Sequence, residues 1–266
     1  MTRVRKLSVS AWELWIPIPA LGPLNISMSA PRRPGWKSRT ACRSRISEAQ
    51  NSSQLPVARV RSTNHLGFTT VPAVKLSRSF YEQSTLDVAR QLLGKYLVRQ
   101  HADGTTVGRI VETEAYVGPE DKACHASRGR TPRTEIMFGP AGYAYVYLVY
   151  GFHHMLNIVT ESVDYPSAVL IRAVEPVQGV ELMRARRETE QRHNLASGPG
   201  KLCQAFAIDR KLNGDDLCGK VLYLEDRGEA VSKVVTTPRI GVDYAGQWKR
   251  RPWRFLIKGN ECVSKP

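Results

Sequence analysis

From Leu76 onward, apolar and polar positions recur with periods that predict short helices and strands. Over residues 86–93 the apolar side chains recur at helical spacing. Ser84 precedes this stripe as an N-cap with Asp87 three residues later, and Gly94 is placed to end the helix. The pattern therefore predicts a first helix that begins after Ser84 and ends before Gly94.

Alternation with a period of two predicts the strands. In chain order, these strands cover residues 96–98, 107–116, 143–150, 152–160 and 169–174. Asp103-Gly104 and Gly151 lie between neighbouring strands and predict hairpin turns. A loop rich in Gly, Pro, Arg and Asp is predicted over 118–140, and further helices over 179–193 and 201–208.

Strands that pair mostly as hairpins, with helices outside them, favour the α+β class. We expect a single mixed domain with a curved antiparallel sheet, surrounding helices and a projecting β-hairpin. The chain has 266 residues, 42% of them hydrophobic and 24% charged, which suits one sizeable core and excludes wholesale disorder. No apolar run reaches the roughly 18–20 residues that a membrane span needs.

The net charge of +15 is concentrated in the first 75 residues, which have 12 Lys and Arg against two acids. Subtraction gives +10 for that segment and +5 for residues 76–266. Three interpretations of the segment stay open: a disordered basic arm, an organelle transit peptide, or a start codon assigned too far upstream. We therefore divide the chain into a basic, low-order extension at 1–75 and an ordered domain at 76–266.

The strand over 107–116 carries an unusual set of side chains. Because side chains alternate along a strand, Ile110, Glu112, Glu114 and Tyr116 are predicted to share one face. Two carboxylates beside an aromatic ring can supply a general acid or base. The alternative is that these carboxylates lie on the solvated face of an edge strand.

Arg172 lies in an apolar stretch, where a guanidinium needs a carboxylate or phosphate partner. A structural ion pair with Glu112 or Glu175 and an anion-binding role are both compatible with this position. The five cysteines are odd in number and contain no CxxC pair, which argues against a disulfide framework and a zinc knuckle.

Tyrosines alternate along the strand over 143–150, so that Tyr145 and Tyr147 are predicted to share a face. Tyr150 lies beside Gly151 at the predicted turn, where an exposed ring could wedge between nucleic-acid bases or stack on one. The next three residues, Phe-His-His at 152–154, could alter that contact.

Three further signals are weaker. His125 lies in the polar loop, where a surface residue or a histidine with satisfied hydrogen bonds is the simpler interpretation. Residues 197–201 (SGPGK) could present backbone N–H groups and a lysine to a phosphate, but they lack P-loop spacing. Residues 248–255 interleave cations with aromatics, as nucleic-acid surfaces often do, although a packed final strand would explain them nearly as well.

Together these motifs resemble the alkyladenine (3-methyladenine, or methylpurine) DNA glycosylase family. The matching stretches, between about Leu76 and Ser264, are GRIVETEAYVGPED at 108–121, YVYLVYG at 145–151, RAVEP at 172–176, SGPGKLCQ at 197–204 and RIGV at 239–242. Several long motifs in the same order are far more specific than any single motif. The resemblance implies that residues 76–266 form a DNA glycosylase catalytic domain.

The resemblance also implies roles for individual residues. Glu114 takes the position of the family's water-activating glutamate, with Glu112 as its support and Arg172 as the arginine beside it. The positions that line the pocket for an extruded base are Tyr116, His125, Tyr147 and Asn157, the last of which helps to reject guanine. Tyr150 falls on the residue that fills the gap in the duplex, and Lys201 on one near the DNA backbone.

The implied activity is that of a monofunctional DNA glycosylase of base excision repair. Such an enzyme extrudes 3-methyladenine, 7-methylguanine, hypoxanthine or ethenoadenine from duplex DNA and hydrolyses the N-glycosidic bond to leave an abasic site. We expect a monomer without cofactor or metal that binds damaged double-stranded DNA and no membrane. It is expected inside the cell with access to DNA: in the cytoplasm (nucleoid) of a bacterium, or the nucleus or an organelle of a eukaryote.

Two other functions are weighed against this one. A non-catalytic protein of the same fold could recognise damaged DNA, but it would not need Glu114 together with Arg172. An N-ribosyl hydrolase of free nucleosides would need neither the tyrosine at the hairpin tip nor the charge of +5 on the ordered domain.

Overall fold

The structure is a computed structural model that describes residues 72–265 and the backbone of residues 62–63 and 69–70. The basic extension predicted over 1–75 therefore falls almost wholly outside the described residues. Val74 and Lys75, which precede the predicted domain boundary, already pair with a strand of the sheet.

The strands, in chain order, are β1 (Ser62–Thr63), β2 (Thr69–Thr70), β3 (Val74–Lys75), β4 (Tyr96–His101), β5 (Gly104–Tyr116), β6 (Ala144–Val149), β7 (His153–Thr160), β8 (Ser167–Gln178), β9 (Leu222–Asp226), β10 (Val234–Thr237) and β11 (Arg254–Ile257). The α-helices are α1 (Arg78–Tyr81), α2 (Thr85–Gln91), α3 (Val180–Arg187) and α4 (Pro199–Ala205). Short 3₁₀ helices cover His125–Arg128, Glu135–Phe138, Arg192–Asn194, Arg210–Leu212 and Asp243–Arg250.

One antiparallel sheet organises the domain, with the strand order β3-β9-β4-β5-β8-β7-β6. The strand β5 is central, because β8 runs along one side of it while β4 and then β11 share the other side. The outer edge of β11 is covered by β10. The predicted α+β class with an antiparallel sheet is confirmed.

Most predicted elements lie where the pattern placed them, within a few residues. The Ser84 hydroxyl accepts a hydrogen bond from the Asp87 N–H at 3.3 Å, as an N-cap does. The helix predicted over 179–193 is wrong in length, because α3 ends at Arg187 and Glu188 takes a left-handed conformation with φ of 52°. The residues that follow are polar and offer no apolar face to bury, so the helix gains nothing by continuing. The helix predicted to begin at Lys201 begins instead at Pro199, whose fixed φ suits the first turn.

The main core lies between the sheet and the helices α2 and α4. On β5, Thr113 faces this core and donates a hydrogen bond from its hydroxyl to the Ala89 carbonyl of α2 at 2.8 Å. A second apolar cluster packs the loop that follows β5 against β6, β7 and β8. Its buried members are Cys124, Ala126, Met137, Tyr145, Val159 and Ala168. The loop over 118–140 is thereby held against β6–β8, and His125 with it.

Candidate active site

Glu112 and Glu114 lie on the central strand and both are 0% exposed. The alternative interpretation of a solvated edge strand is wrong, because β8 and β11 flank β5 at these residues. An ionised carboxylate is stable at such a position only with charged and hydrogen-bonding partners. The prediction that Ile110 shares their face also fails, since Ile110 packs in the main core and the pairing of β5 with β8 shifts between Ile110 and Glu112.

Arg172 is brought to the carboxylates by a second shift in the same pairing. Glu112 lies opposite Ala173 and Thr113 lies opposite Ile171, so Arg172 is the extra residue of a β-bulge. Bulges re-aim side chains and are frequent beside active sites. The guanidinium donates to both acids, from Nε to Glu112 Oε1 at 2.9 Å and from Nη1 to Glu114 Oε2 at 3.2 Å. Of the two ion pairs weighed from the sequence, the one with Glu112 is present, whereas Glu175 lies 3.7 Å from Arg109.

The carboxylate of Glu112 is saturated with donors. Besides Arg172, its Oε1 accepts from Arg254 Nε at 2.7 Å and from the Ser264 hydroxyl at 2.8 Å. Its Oε2 accepts from the Ser264 N–H at 2.6 Å. Glu112 is therefore held in place between two arginines.

Glu114 has fewer donors, and they come from β5 itself, from β8 and from the segment that follows β10. Its Oε1 accepts from the Ile240 N–H at 2.7 Å, and its Oε2 from the Tyr116 hydroxyl at 2.9 Å and from Arg172. Burial, and then the negative charge of Glu114, raise the pKa of Tyr116 well above its usual value, so the phenol stays protonated and remains a donor. This arrangement suits a carboxylate that accepts a proton without moving.

A second buried ion pair supports Tyr116. Asp121 and Arg239 are both 0% exposed at their side chains, and Arg239 Nη2 donates to Asp121 Oδ1 at 2.8 Å. Arg239 also donates to the Ala115 carbonyl at 2.9 Å, and its guanidinium lies 4.8 Å from the centre of the Tyr116 ring. The pair therefore fixes the end of β5 from which Tyr116 projects.

His125 belongs to an aromatic cluster with Tyr145 and Tyr147. Its Nδ1 lies 2.9 Å from the Tyr145 hydroxyl, and its ring is 4.5 Å from that of Tyr147 at an angle of 71°. Burial, and the charges of Arg133 and Arg128, lower the pKa of His125 to about 4, so it is neutral near pH 7. Of the two simpler interpretations, the exposed surface residue is wrong, whereas a histidine with a satisfied hydrogen bond agrees with its contact to Tyr145.

The aromatic cluster and the carboxylates belong to one site. Tyr116 and Tyr147 both pack against the second apolar cluster. Burial, together with the neighbouring Tyr145, raises the pKa of Tyr147, and the charge of Glu114 contributes to the same effect. A cation also lies here, because the Arg133 guanidinium is 5.0 Å from the centre of the Tyr147 ring.

Asn157 lies in the same row of the sheet as Glu114. The register places Tyr145 of β6 opposite Asn157 of β7, Asn157 opposite Leu170 of β8, and Leu170 opposite Glu114 of β5. Residues directly opposite one another share a face, and two strand spacings separate Asn157 from Glu114 by about 10 Å. Asn157 is 4% exposed, and its Nδ2 donates to the Tyr145 carbonyl at 3.3 Å.

Tyr150 and Phe152 project at the tip of the β6–β7 hairpin. They are 64% and 68% exposed, and their ring centres are 6.5 Å apart. Tyr150 and Gly151 both have positive φ, 52° and 80°, as the two central residues of a type I′ turn require. The tip rests on α4, because the His153 ring contacts that of Phe152, with ring centres 4.2 Å apart at an angle of 59°, and lies close to Gly200.

Lys201 lies in the first turn of α4, apart from the buried carboxylates. Its ammonium donates to the Asn194 side chain, and burial followed by the charge of Arg187 lowers its pKa. The structure therefore brings Glu114, Arg172, Tyr116, His125, Tyr147 and Asn157 together on one face of the sheet. It keeps Tyr150 and Lys201 outside that cluster.

The sequence prediction missed Arg254, Ser264 and the pair of Asp121 with Arg239. Asp121 and Arg239 lie within matched motifs, which is a signal, but their separation of 118 residues gives no hint that they pair. Arg254 belongs to the basic run over 248–255, where nothing distinguishes it from its solvated neighbours. In the part of the chain that the structure describes, no helix could cross a membrane and no group of three or more His, Cys, Asp or Glu is placed to hold a metal ion.

Comparison with known proteins matches residues 79–261 to the family described as Methylpurine-DNA glycosylase. A relative from Methanocella arvoryzae is 58% identical over 192 residues, which are 71% of this chain and 96% of the relative. A relative from Alkaliphilus oremlandii is 50% identical over 201 residues, which are 72% of this chain and all of the relative. Both carry the name "Putative 3-methyladenine DNA glycosylase".

Proposed function

Since the chain belongs to the methylpurine-DNA glycosylase family, we propose that it is a monofunctional glycosylase that extrudes damaged purines from duplex DNA and hydrolyses their N-glycosidic bond. The protein is a DNA glycosylase of alkylated-base repair. The finer proposal concerns the lesions, which are 3-methyladenine, 7-methylguanine, hypoxanthine and ethenoadenine, and the product, an abasic site. The observation that carries it is the buried Glu114 carboxylate, held by Arg172 and Tyr116 beside a cluster of aromatic rings.

Glu114 is the proposed base that activates water. A carboxylate has roughly four lone-pair sites, and three of those on Glu114 are used by Ile240, Tyr116 and Arg172. The fourth is available to a water molecule. As the base departs, positive charge develops on the sugar, and the fixed anion of Glu114 both stabilises that charge and takes a proton from the attacking water.

Arg172 positions Glu114 and compensates its charge. With Glu112 and Arg254, these side chains form a group of two acids and two arginines with no net charge. Because the four charges cancel, the site can hold the reactive Glu114 carboxylate without strongly repelling the negatively charged DNA backbone. No lysine lies on β5, so an imine intermediate and strand cleavage by a lyase step are not expected.

Tyr116, His125 and Tyr147 form the proposed pocket for the extruded base. Alkylated purines such as 3-methyladenine are cationic, and aromatic faces attract cations. A neutral His125 adds no repulsion to such a base, which fits a pKa of about 4. Asn157 is buried and lies in the same row of the sheet as Glu114. We propose that it excludes guanine by leaving no room for the exocyclic amino group of that base.

Tyr150 is the proposed wedge that fills the gap left by the extruded nucleotide. Extrusion costs a few kcal/mol, and an exposed ring on a rigid turn can offset part of this by stacking in the vacated space. Lys201 is the proposed contact to the DNA backbone. We propose that the protein is a monomer and that its partner is damaged duplex DNA. Its location would be the nucleoid if the host is a bacterium, and the nucleus or an organelle if the host is a eukaryote.

A non-catalytic protein that binds damaged DNA is the alternative. It would use the hairpin tip but would have no need of two buried acids that each require arginine. The test is base release from a labelled duplex with a single hypoxanthine, ethenoadenine or 3-methyladenine, followed by alkali. Strand cleavage only after alkali supports the proposal, whereas lesion binding without release of any of the three bases supports the alternative.

A further inference from the structure

Residues 260–265 follow β11 and return to the carboxylates of β5. Asn260 Nδ2 donates to Glu175 Oε2 at 3.0 Å, and the Cys262 N–H donates to the Asn260 side chain at 2.9 Å. Cys262 is buried in the main core, with Val263 packed against it. The segment is therefore anchored before Ser264, by contacts that do not involve the Ser264 side chain.

Ser264 supplies two of the hydrogen bonds that Glu112 accepts. Its N–H donates to Oε2 at 2.6 Å and its hydroxyl to Oε1 at 2.8 Å. Among the described residues, the Ser264 N–H is the only hydrogen-bond donor to Oε2. A fully buried carboxylate depends on such donors, because it has no water to replace them.

The Ser264 hydroxyl also contacts Arg172, so it lies at the junction of the ion pair. Arg172 Nη2 donates to this hydroxyl at 3.2 Å, while Nε donates to Glu112 at 2.9 Å. A guanidinium is planar, and holding Nε and Nη2 fixes the direction of the remaining nitrogen, Nη1. Nη1 is the nitrogen that donates to Glu114, at a length of 3.2 Å that leaves little tolerance for rotation.

We propose that Ser264 is a positioning residue of the glycosylase reaction, which aims Arg172 at Glu114 through its hydroxyl. The proposal rests on the proposed role of Glu114. Ser264 has no hydrogen bond to Glu114 and none to the aromatic cluster, so it acts on the rate of base release and not on lesion binding. The hydroxyl, rather than the N–H, is the part that a substitution can remove without disturbing the backbone.

The test compares Ser264→Ala, Ser264→Thr and the intact protein on a duplex with one hypoxanthine. The exposed neighbour Glu261 provides a matched control, Glu261→Gln, in the same segment. Three quantities are measured: the single-turnover rate of base release, the Kd for the lesion duplex, and the thermal unfolding midpoint. The Kd and the unfolding midpoint separate a slower chemical step from weaker DNA binding and from a loss of folded protein.

The expected result for Ser264→Ala is a rate of base release lower by about tenfold, the scale of one hydrogen bond to a charged group. Its Kd should match that of Glu261→Gln, while its unfolding midpoint should fall by only a few degrees, because Glu112 keeps both arginines and the Ser264 N–H. Ser264→Thr, which keeps the hydroxyl, should recover most of the rate. The proposal is overturned if Ser264→Ala releases base at the intact rate, or if weaker DNA binding or a smaller folded fraction at the assay temperature accounts for the whole fall in rate. If the intact protein releases none of hypoxanthine, ethenoadenine and 3-methyladenine from their duplexes, the proposed function itself has failed.

Discussion

Arg254 lies directly opposite Glu114 across β5 and β11, yet its Nε donates to Glu112, at 2.7 Å. Two arginines and Ser264 therefore share Glu112, whereas Glu114 has Arg172 as its only ion-pair partner among the described residues. The two carboxylates are two residues apart on one strand but differ in their environment. Glu112 has the environment of a structural residue, and Glu114 is the proposed proton acceptor.

Replacing Glu112 with Gln is expected to destabilise the protein strongly. The change leaves Arg172 and Arg254 buried without their shared anion, and breaking a buried pair in this way costs about 3–5 kcal/mol. Urea denaturation measures the loss. Glu120→Gln, at an exposed position, is the matched control and should change stability by less than about 0.5 kcal/mol. Equal stability of the two variants would contradict the structural role of Glu112.

His125 should make stability depend on pH in the acid range. Its pKa is about 4 in the folded protein against 6.5 for the free side chain, so the unfolded chain binds more protons between these values. The contribution of His125 is therefore fully present above about pH 6.5 and is lost as the pH falls towards 4. We expect a shallower decline for His125→Gln than for the intact protein in urea denaturation from pH 7 to pH 4. Parallel curves would show that His125 is not held neutral.

Replacing Tyr150 with Ala should separate DNA extrusion from stability. The ring is 64% exposed, so the free energy of unfolding should change by less than about 0.5 kcal/mol. The rate of base release should fall, and 2-aminopurine beside the lesion should show less unstacking. Val163→Ala, which also removes an exposed apolar side chain, is the control. If Tyr150→Ala unstacks 2-aminopurine to the same extent as the intact protein, the proposed role of Tyr150 as a wedge is contradicted.

Asn157 is the position at which selectivity is expected to change. Replacing it with Ser leaves room for an exocyclic amino group, so release of 7-methylguanine should rise relative to that of hypoxanthine. Because the Asn157 side chain also donates to the Tyr145 carbonyl, a modest loss of stability should accompany the change. Competition between the two lesions in one reaction measures the ratio of their release rates. An unchanged ratio would contradict the proposal that Asn157 lines the base pocket.

The sequence predicts local features of this fold well. Ser84, Asp87 and Gly94 delimit α2 because capping depends on neighbouring residues alone. The alternation along β5 likewise placed Glu112 and Glu114 together. The sequence could not show the bulge at Arg172, because a bulge depends on how two strands that are distant along the chain pair.

The contacts that saturate Glu112 were equally hidden. Ser264 lies 152 residues and Arg254 142 residues from it along the chain, and neither has a local pattern that distinguishes it. The length of α3 was overestimated for a related reason. Its charged sequence allows a helix, but only tertiary packing decides where such a helix ends.

The most direct test of this account is to replace Glu114 with Gln and measure base release and lesion binding side by side. The amide keeps the shape of the side chain but cannot take a proton from water. The account predicts that the single-turnover rate of base release falls by about 10²–10⁴-fold while the lesion duplex is bound as well as before. A Glu114→Gln protein that releases the base at the intact rate would contradict it.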